Sequence, residues 1–544
     1  MLIFKVYTMK NTFFKISLLV AAITTIVACT KKIDQAYQNP NADVKVPVEQ
    51  LLPGILASMV GNTAFHGTAN DMRFIGRYIQ NWQWVSSGDL YDQMGGVQTD
   101  AAASTWRTHY YDLGQNLNNM IKWAGEEKKW DYVGVGQAIF AWSWLTMSDY
   151  HGEIILKEAF NTSQLTFKYD TEEEVYAYVR QLCFTALGNL NKTGDGVSQA
   201  NLAKGDAYFY GGDVAKWKKF VYGILARSYN HLSNKSTYKS DSVIYYANLS
   251  VNSNADNATL KYANTGSNRS ANFNGPFSNN GIGSLRQSEY SVKLLTGGNS
   301  ALTGVLDPRR FYFLKTNPNG TFVGVVPNKG VAAIANVSDR PNNFYGATNL
   351  ATVAPSNDNG CTYIFKNYAE SPVLTASEVQ FMKAEAALRK GDNATALAAY
   401  TQGISLNFDM LGTLYSAGIA AGDVITPASK AAYLANPLVV PATLTLTHIM
   451  LQKYISLWGH GILETWVDMR RFHYTDKDPV TTKQVYADFT IPTGTNLYVE
   501  NGGLPVYRVR PRFNSEYVWN LNELIRIGAD KTNYHTKEGW FSSK

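Results

Sequence analysis

Aromatic side chains supply the chemistry that this sequence suggests most directly. The 544 residues include 12 Trp, 34 Tyr and 24 Phe, whereas only 17% of the residues are charged. Flat rings bind sugars, peptides and other rings, because their faces lose water cheaply while the edges of Tyr and Trp still form hydrogen bonds. This surplus of rings predicts an aromatic core, an aromatic ligand-binding surface, or both.

Two stretches combine rings with residues typical of irregular structure. The first is NWQWVSSGDLYDQMGG from Asn81, and the second is the segment 252–370, which is rich in Asn, Gly and Ser. Loops on a rigid scaffold often carry binding sites. The candidate ligand-binding residues are therefore Trp82, Trp84 and Tyr91 in the first stretch, and Phe273, Arg286, Phe344 and Tyr345 in the second.

The expected contacts follow from the residue types. For a sugar ligand, an exposed ring would stack on the pyranose face while Arg286 and Asn272 or Asn274 bond its hydroxyl groups. We expect two or three of the seven side chains to be exposed and to converge. The alternative for Trp82 and Trp84 is that they complete a helix in the core.

Catalytic and metal-binding motifs are absent from the sequence. It contains no HExxH, CxxC, GxSxG or phosphate-binding loop, and His109, His151, His460 and His473 lack the spacing of metal ligands. We therefore predict a protein that is not an enzyme, with no catalytic residues, no metal and no cofactor. A surface glycoside hydrolase is an alternative, because the two carboxylates that such an enzyme needs meet from distant parts of a chain.

The N-terminus has the pattern of a lipoprotein leader. Residues 1–28 begin with lysines, continue with an apolar run and end in small residues before Cys29. Ile26-Val27-Ala28-Cys29 resembles the bacterial lipoprotein cleavage box, so we predict that Cys29 is lipidated and becomes the mature N-terminus. The polar residues 29–48 then form a tether to the body, residues 49–544. Either Met1 or Met9 can serve as the start.

The charge and the apolar runs of the sequence argue against two further classes of protein, nucleic-acid-binding proteins and membrane-spanning proteins. The net charge is +6, and no dense Lys/Arg stripe interleaved with rings appears, so we predict no nucleic-acid binding. No stretch beyond the leader approaches the roughly 20 apolar residues of a membrane-spanning helix, so the body is expected to be soluble. A disulfide between Cys183 and Cys361 remains open at this stage.

The elements that must position these residues are mainly helices. The clearest is a helix pair from Thr375 to Asn407, in which Thr375 and Glu378 are spaced as a capping box and Gly391 ends the first helix. Its small and aromatic residues, with Asn407 as the helix exit, match the tetratricopeptide pattern. One such pair cannot bury its apolar face alone, so several pairs are expected.

Other segments extend the array of helices. The periodicity predicts helices over 50–61, 71–85, 101–124, 130–150, 170–190, 213–232, 447–458 and 462–472. Residues 321–327 and 362–368 resemble strands, and residues 504–513 alternate like one. These patterns indicate a mainly α fold with a long loop-rich insertion over residues 252–370.

Several motifs in a fixed order also carry a family likeness. They are Cys29 with Asn39-Pro40-Asn41, SDYHGEIILKEAF, Tyr169-Asp170, GGDVAKWKKFVYGILAR from Gly211, ASEVQFMKAEAAL from Ala376, ETWVDMRR from Glu464, and PVYRVRPRFNSEYVWN from Pro505 with Glu516, Tyr517 and Asn520. Together they resemble the SusD/RagB family of outer-membrane nutrient-binding lipoproteins over nearly the whole mature chain. Arg510-Pro511-Arg512 departs from the family's commoner Tyr-Pro.

The resemblance implies a fold, a place in the cell and partners. It implies a SusD-like fold of four tetratricopeptide-like helix pairs supporting a loop-rich face. It also implies a lipid-anchored protein of the outer membrane, at the cell surface, that captures glycan oligosaccharides for a SusC-like TonB-dependent transporter. Oligopeptides are an alternative cargo, and a pure assembly scaffold is an alternative function. The family's ligand-contacting loops vary, so the resemblance assigns no binding residue here.

The residues in the shared motifs look structural. Glu385 lies on an apolar helix face, and a buried acid needs a cationic partner. Arg227, Arg470 and Arg471 are the candidates, and we predict Arg470 or Arg471.

Overall fold

Helices follow the apolar periodicity through most of the chain. The computed structural model describes residues 45–61, 67–96, 99–263, 265–266, 270–278, 281–347 and 356–544. The leader and Cys29 lie outside the described residues. The chain divides into a unit of residues 1–47 and a compact unit of residues 48–544.

The first half of the chain contains nine α-helices among its described residues. These are α1 (Val48–Val60), α2 (Thr68–Tyr78), α3 (Ser104–Arg107), α4 (Gly114–Glu126), α5 (Trp130–His151), α6 (Glu172–Leu190), α7 (Gln199–Asp206), α8 (Val214–Asn230) and α9 (Ser240–Leu249). A π-helical turn, Thr108–Leu113, joins α3 to α4. The helix expected over 101–124 is therefore interrupted.

The second half is helical on both sides of the loop-rich insertion. Its described α-helices are α10 (Glu289–Thr296), α11 (Arg310–Phe313), α12 (Ala376–Lys390), α13 (Asn393–Leu414), α14 (Pro427–Leu434), α15 (Leu446–Ser456), α16 (Ile462–Arg471) and α17 (Leu521–Ile527). A second π-helical turn, Phe513–Tyr517, precedes α17.

Neighbouring helices pack in pairs, as the sequence predicted. Contacts join α4 with α5, α5 with α6, α8 with α9, and α12 with α13, and further contacts link α9 and α15 to α12. The apolar faces meet in two clusters, one centred on α5, α6 and α8 and one on α12, α13, α15 and α16. The fold is mainly α, which confirms the predicted class.

The helix pair α12–α13 has some of the helix ends that the sequence predicts, but not all of them. Thr375 accepts a hydrogen bond from the Glu378 amide at 3.3 Å, and Gly391 ends α12 with a φ of 86°. The predicted capping box is only half formed, because the Glu378 carboxylate bonds Arg227 instead of the helix end. Asn407 is not a helix exit, since α13 continues to Leu414.

The strands are short and lie elsewhere than predicted. β1 (Trp82–Trp84) pairs with β3 (Leu285–Gln287), and β2 (Ala258–Leu260) pairs with β4 (Ser371–Leu374), both antiparallel. No strand forms over the predicted segments 321–327, 362–368 and 504–513. Their backbone groups find single partners instead of a ladder; for example, the Gln287 side-chain amide donates to the Val323 carbonyl at 2.9 Å.

The remaining global features concern thiols, metals and membranes. Cys183 and Cys361 are both buried free thiols, so the disulfide left open above does not form. No cluster of three or more potential metal ligands occurs among the described residues. Within the same described ranges, no helix has the length and apolarity to cross a bilayer.

Candidate functional site

The seven candidate residues from the sequence are mostly buried. Relative exposures are 1% for Trp82, 7% for Tyr91, 2% for Phe273, 0% for Arg286, 1% for Phe344 and 3% for Tyr345, and only Trp84 is partly exposed. The expectation that two or three would be exposed and convergent is wrong. That these residues contact ligand stays a prediction. Trp84 is its main candidate, because Trp84 alone is partly exposed.

The rings near the first loop pack into the core because the chain turns sharply after α2. Gln80 adopts a φ of 57°, so the helix expected over 71–85 ends early and Trp82 enters β1. The Trp82 ring then makes edge contacts with Phe344 and Trp458 at centroid distances of 5.9 Å each. The alternative that Trp82 is a core residue is therefore confirmed, although it completes a strand rather than a helix.

The polar candidates Arg286 and Asn272 form hydrogen bonds with backbone carbonyls of the insertion. The Arg286 guanidinium donates to the carbonyls of Gly283 and Leu285 at 2.7 and 2.9 Å. Asn272 donates to the Ile364 and Ala369 carbonyls at 2.9 and 3.0 Å, and Asn274 is also buried. A loop region must satisfy its own buried backbone groups, and these side chains do so.

A different part of the surface has the properties expected of a ligand site. A cleft of about 770 Å³ lies between the turn joining α3 to α4, the segment 155–167 and the segment 512–520. Ligand pockets commonly have volumes of roughly 300–1,000 Å³. We call it the Tyr111–Trp519 cleft, after two lining rings that are 69% and 68% exposed.

The helical part of the cleft is held in place through the N-terminus of α3. The buried Asp71 carboxylate of α2 accepts hydrogen bonds from the Ser104 and Thr105 amides at 3.1 and 2.8 Å, which anchors the N-terminus of α3. The π-helical turn that follows inserts a residue into the helix. Tyr110 points inward and donates to the Ile155 carbonyl at 2.7 Å, while Tyr111 faces solvent.

Close packing under this turn fixes its shape. A Cβ at Gly114 would lie 2.4 Å from the Phe160 ring and 2.5 Å from the His109 carbonyl oxygen, so only glycine permits this approach. His109 is buried and bonds Ser143 at 2.7 Å. Burial lowers the pKa of His109 to about 3, which indicates a neutral, structural histidine.

The C-terminal part of the cleft is tied to the rest of the body by polar contacts. Glu516 accepts hydrogen bonds from the Tyr169 hydroxyl at 2.8 Å and from the Asn520 amide at 3.1 Å. Burial raises the pKa of Glu516. Asn520 also exchanges hydrogen bonds with the Phe167 backbone at 2.8 and 3.2 Å. This anchoring leaves the adjacent Trp519 ring on a supported segment.

The segment 155–167 completes the cleft with amides and one apolar side chain. Asp170 accepts from the Leu156 and Lys157 amides at 2.9 Å each, which holds the start of the segment. Asn161 donates to Gln164 at 3.2 Å, and Leu165 is 82% exposed. The segment therefore presents hydrogen-bonding groups beside an apolar surface.

The chemistry of the cleft suits the binding of sugars. Exposed rings can stack on pyranose faces, and the amides and guanidinium groups around them can bond hydroxyls. The described lining contains a single carboxyl group, Glu516, whereas glycoside hydrolysis generally uses two.

Tyr111 and Trp519 are not among the seven ligand-binding candidates that the sequence predicts. Tyr111 lies in the segment 101–124, for which the periodicity predicts only a helix, and the segment 505–520 carries only a family likeness. A usable signal was present: Tyr111 directly follows Tyr110, which is on the apolar face, so Tyr111 falls on the polar face of the helix.

Comparison with known proteins identifies a family over most of the chain. A family model, SusD-like, described as "Starch-binding associating with outer membrane", matches residues 40–494, which ends before the segment 512–520. No curated protein matches the chain.

Solved structures with the same fold come from several bacteria. A SusD/RagB family protein from Bacteroides thetaiotaomicron is 22% identical, with 92% of this chain and 99% of that chain covered and a TM-score of 0.68. A SusD homolog from Bacteroides fragilis is 19% identical, with coverages of 92% and 100% and a TM-score of 0.68. A chitin-binding SusD homolog from Flavobacterium johnsoniae is 16% identical, with coverages of 91% and 99% and a TM-score of 0.62.

Proposed function

Because the chain belongs to the SusD-like family of starch-binding proteins that associate with the outer membrane, we propose that it captures glycan oligosaccharides at the cell surface. In this proposal Cys29 carries the lipid anchor, and the captured glycan passes to a SusC-like TonB-dependent transporter. The protein binds its cargo without cleaving it.

The observation that carries the proposal is the Tyr111–Trp519 cleft. Two rings from distant parts of the chain are more than two-thirds exposed and line one cleft together with Gln115, Asn161 and Gln164. Large exposed rings are costly in contact with water unless a partner covers them. Sugars are suitable partners, since each pyranose offers an apolar face for a ring and hydroxyls for the neighbouring amides.

The relatives support the same class of ligand. The family is described as starch-binding, and one structural neighbour is a chitin-binding protein. Starch is named for the family and chitin for that neighbour, not for this chain. For this chain they favour a glycan over an oligopeptide, which remains the alternative because exposed Leu165 would also suit an apolar peptide side chain.

A binding screen tests the proposal. The body, residues 49–544, is applied to arrays of oligosaccharides and of oligopeptides, and hits are measured by calorimetry. We expect a glycan ligand with micromolar to millimolar affinity, as is usual for shallow sites of this kind. Peptide binding without glycan binding would overturn the choice of cargo, and the absence of either would favour the assembly scaffold. Release of reducing ends from a bound polysaccharide would contradict a pure binder.

A further inference from the structure

Two guanidinium groups line the Tyr111–Trp519 cleft, one in each part of the lining that carries an exposed ring. Arg107 precedes Tyr111 by four residues, and its guanidinium carbon lies 5.4 Å from the Tyr111 ring centroid. Arg512 belongs to the same C-terminal segment as Trp519. Each part of the cleft thus offers a ring for a sugar face and a cation for a charged substituent.

Arg107 and Arg512 are less completely paired than the buried arginines are, because, in the part of the chain that the structure describes, Arg107 has no acidic partner and Arg512 forms only a long ion pair with Asp100. Among the described residues, Arg107 has an aromatic neighbour but no ion-pair partner. The Arg512 Nε lies 3.7 Å from Asp100 Oδ2, which is too far for a hydrogen bond. In contrast, the buried Arg227 bonds both oxygens of Glu378. The cleft cations therefore retain hydrogen-bonding capacity for a ligand.

The single carboxyl group of the lining does not cancel these charges. Glu516 is 7% exposed, and its Oε2 already accepts from Tyr169 and Asn520. Arg107 and Arg512 are both partly exposed, and the exposed fraction of the Arg512 side chain is 31%. Among the described residues that line the cleft, the two cations are therefore more exposed than the one acid.

We propose that the Tyr111–Trp519 cleft selects oligosaccharides that carry carboxylate groups, that is, glycans containing uronic acids. This inference rests on the proposed glycan-binding function and adds the charge class of the ligand. The planar guanidinium fork matches a carboxylate with two parallel hydrogen bonds. A uronic acid presents its carboxylate at the edge of the pyranose ring, so stacking on a side chain leaves the carboxylate free to reach the adjacent arginine.

Matched ligand pairs test the proposal. The probes are polygalacturonate, alginate, hyaluronan and glucuronoxylan oligosaccharides, each beside its carboxyl-reduced form, which has the same linkages without the charge. Sulfated carrageenan oligosaccharides form a third arm. We expect at least one acidic oligosaccharide to bind about tenfold or more tighter than its reduced form, since a hydrogen bond to a charged group contributes about that factor.

Variants assign the effect to the two arginines. Arg107→Gln and Arg512→Gln should each weaken binding of the acidic oligosaccharide about tenfold and weaken binding of the reduced form much less, since that form keeps only hydroxyl contacts to the same side chains. Lys122→Gln removes an exposed charge of α4 outside the cleft and should leave both affinities unchanged. Thermal unfolding of each variant shows that the fold is retained.

The remaining outcomes separate this inference from the proposed function. Equal or tighter binding of neutral glycans in the cleft would overturn the inference and keep the glycan-binding function. Tighter binding of the sulfated arm, with the same dependence on arginine, would overturn the choice of carboxylate. Failure of every glycan, charged or neutral, to bind would overturn the proposed function itself.

Discussion

Arg471 donates to both carboxylate oxygens of Glu385, at 2.8 and 2.9 Å, and both side chains are completely buried. The pair joins α16 to α12, and Asn230 of α8 donates to the same carboxylate at 3.1 Å. Burial alone would raise the pKa of Glu385, but the attraction of Arg471 and Arg389 holds it well below its usual range. The predicted pairing with Arg470 or Arg471 is thus confirmed for Arg471, whereas Arg470 bonds backbone carbonyls.

Replacing Glu385 should destabilise the body. Glu385→Ala leaves the Arg471 charge buried and less compensated, which costs about 3 kcal/mol of unfolding free energy. Urea denaturation measures the change. The control is Glu289→Ala, which removes a half-exposed partner of Lys293 and should cost less than about 1 kcal/mol. Glycan affinity of the folded fraction should not change, so a loss of affinity without a loss of stability would contradict a structural role.

A buried histidine predicts that stability falls in alkaline solution. Burial lowers the pKa of His231, but attraction by Glu464 and Asp149 outweighs burial and raises the pKa to about 9. Because the folded-state pKa lies above the unfolded value of about 6.5, this stabilisation is fully present below about pH 6.5. It is lost as the pH rises through about 9, and it amounts to a few kcal/mol.

The test compares the wild type with His231→Gln between pH 6 and pH 10. Other groups titrate in or near this range, including Asp92, whose pKa burial raises to about 7. The difference between the two proteins isolates His231. We expect that difference in unfolding free energy to shrink steadily above pH 7, and a constant difference would show that His231 is not charged in the folded protein.

Two glycines of α4 test the shape of the cleft. Gly114→Ala places a methyl group against the Phe160 ring and the His109 carbonyl, so we expect a destabilisation of about 1–3 kcal/mol and weaker glycan binding. Gly125→Ala is the matched control, since a Cβ there meets nothing within 4 Å. It should be neutral or stabilising by up to about 1 kcal/mol. Equal effects of the two substitutions on binding would contradict the role given to Phe160.

The lipid anchor has its own test. With Cys29 lipidated, the protein should sediment with outer-membrane fractions and be accessible to antibody at the surface of whole cells. Cys29→Ala should release it from the membrane. Unchanged membrane retention of this variant would contradict the predicted anchor.

Local signals in the sequence predicted a helix well where that helix carries its own boundary residues. Thr375 and Gly391 begin and end α12 as expected, since capping depends on a few neighbouring residues. Local signals do not predict the strands, because a strand depends on a partner that is distant in the sequence. β1 pairs with β3 across about two hundred residues, and nothing in Trp82–Trp84 specifies Leu285–Gln287 as its partner.

The prediction of exposed, converging ligand-binding residues was wrong for the same reason, because exposure depends on contacts between distant parts of the chain. Composition marks loops as irregular, but it does not say whether their rings face water or the scaffold. Phe344 stacks on Phe365 at 4.4 Å inside the body, whereas Trp519, in a segment noted only for its family likeness, is 68% exposed. Exposure is set by tertiary packing, so the Tyr111–Trp519 cleft emerged only from the structure.

The central claim is that Tyr111 and Trp519 hold an oligosaccharide in one cleft. Calorimetric titration of the ligand from the glycan screen into Tyr111→Ala, Trp519→Ala and the double variant tests it most directly. The control is Tyr245→Ala, which removes a ring of α9 that is 59% exposed and lies outside the cleft. We expect each cleft variant to weaken binding about tenfold or more, the double variant to abolish it, and Tyr245→Ala to bind as the wild type does. Wild-type affinity in the double variant would contradict the account.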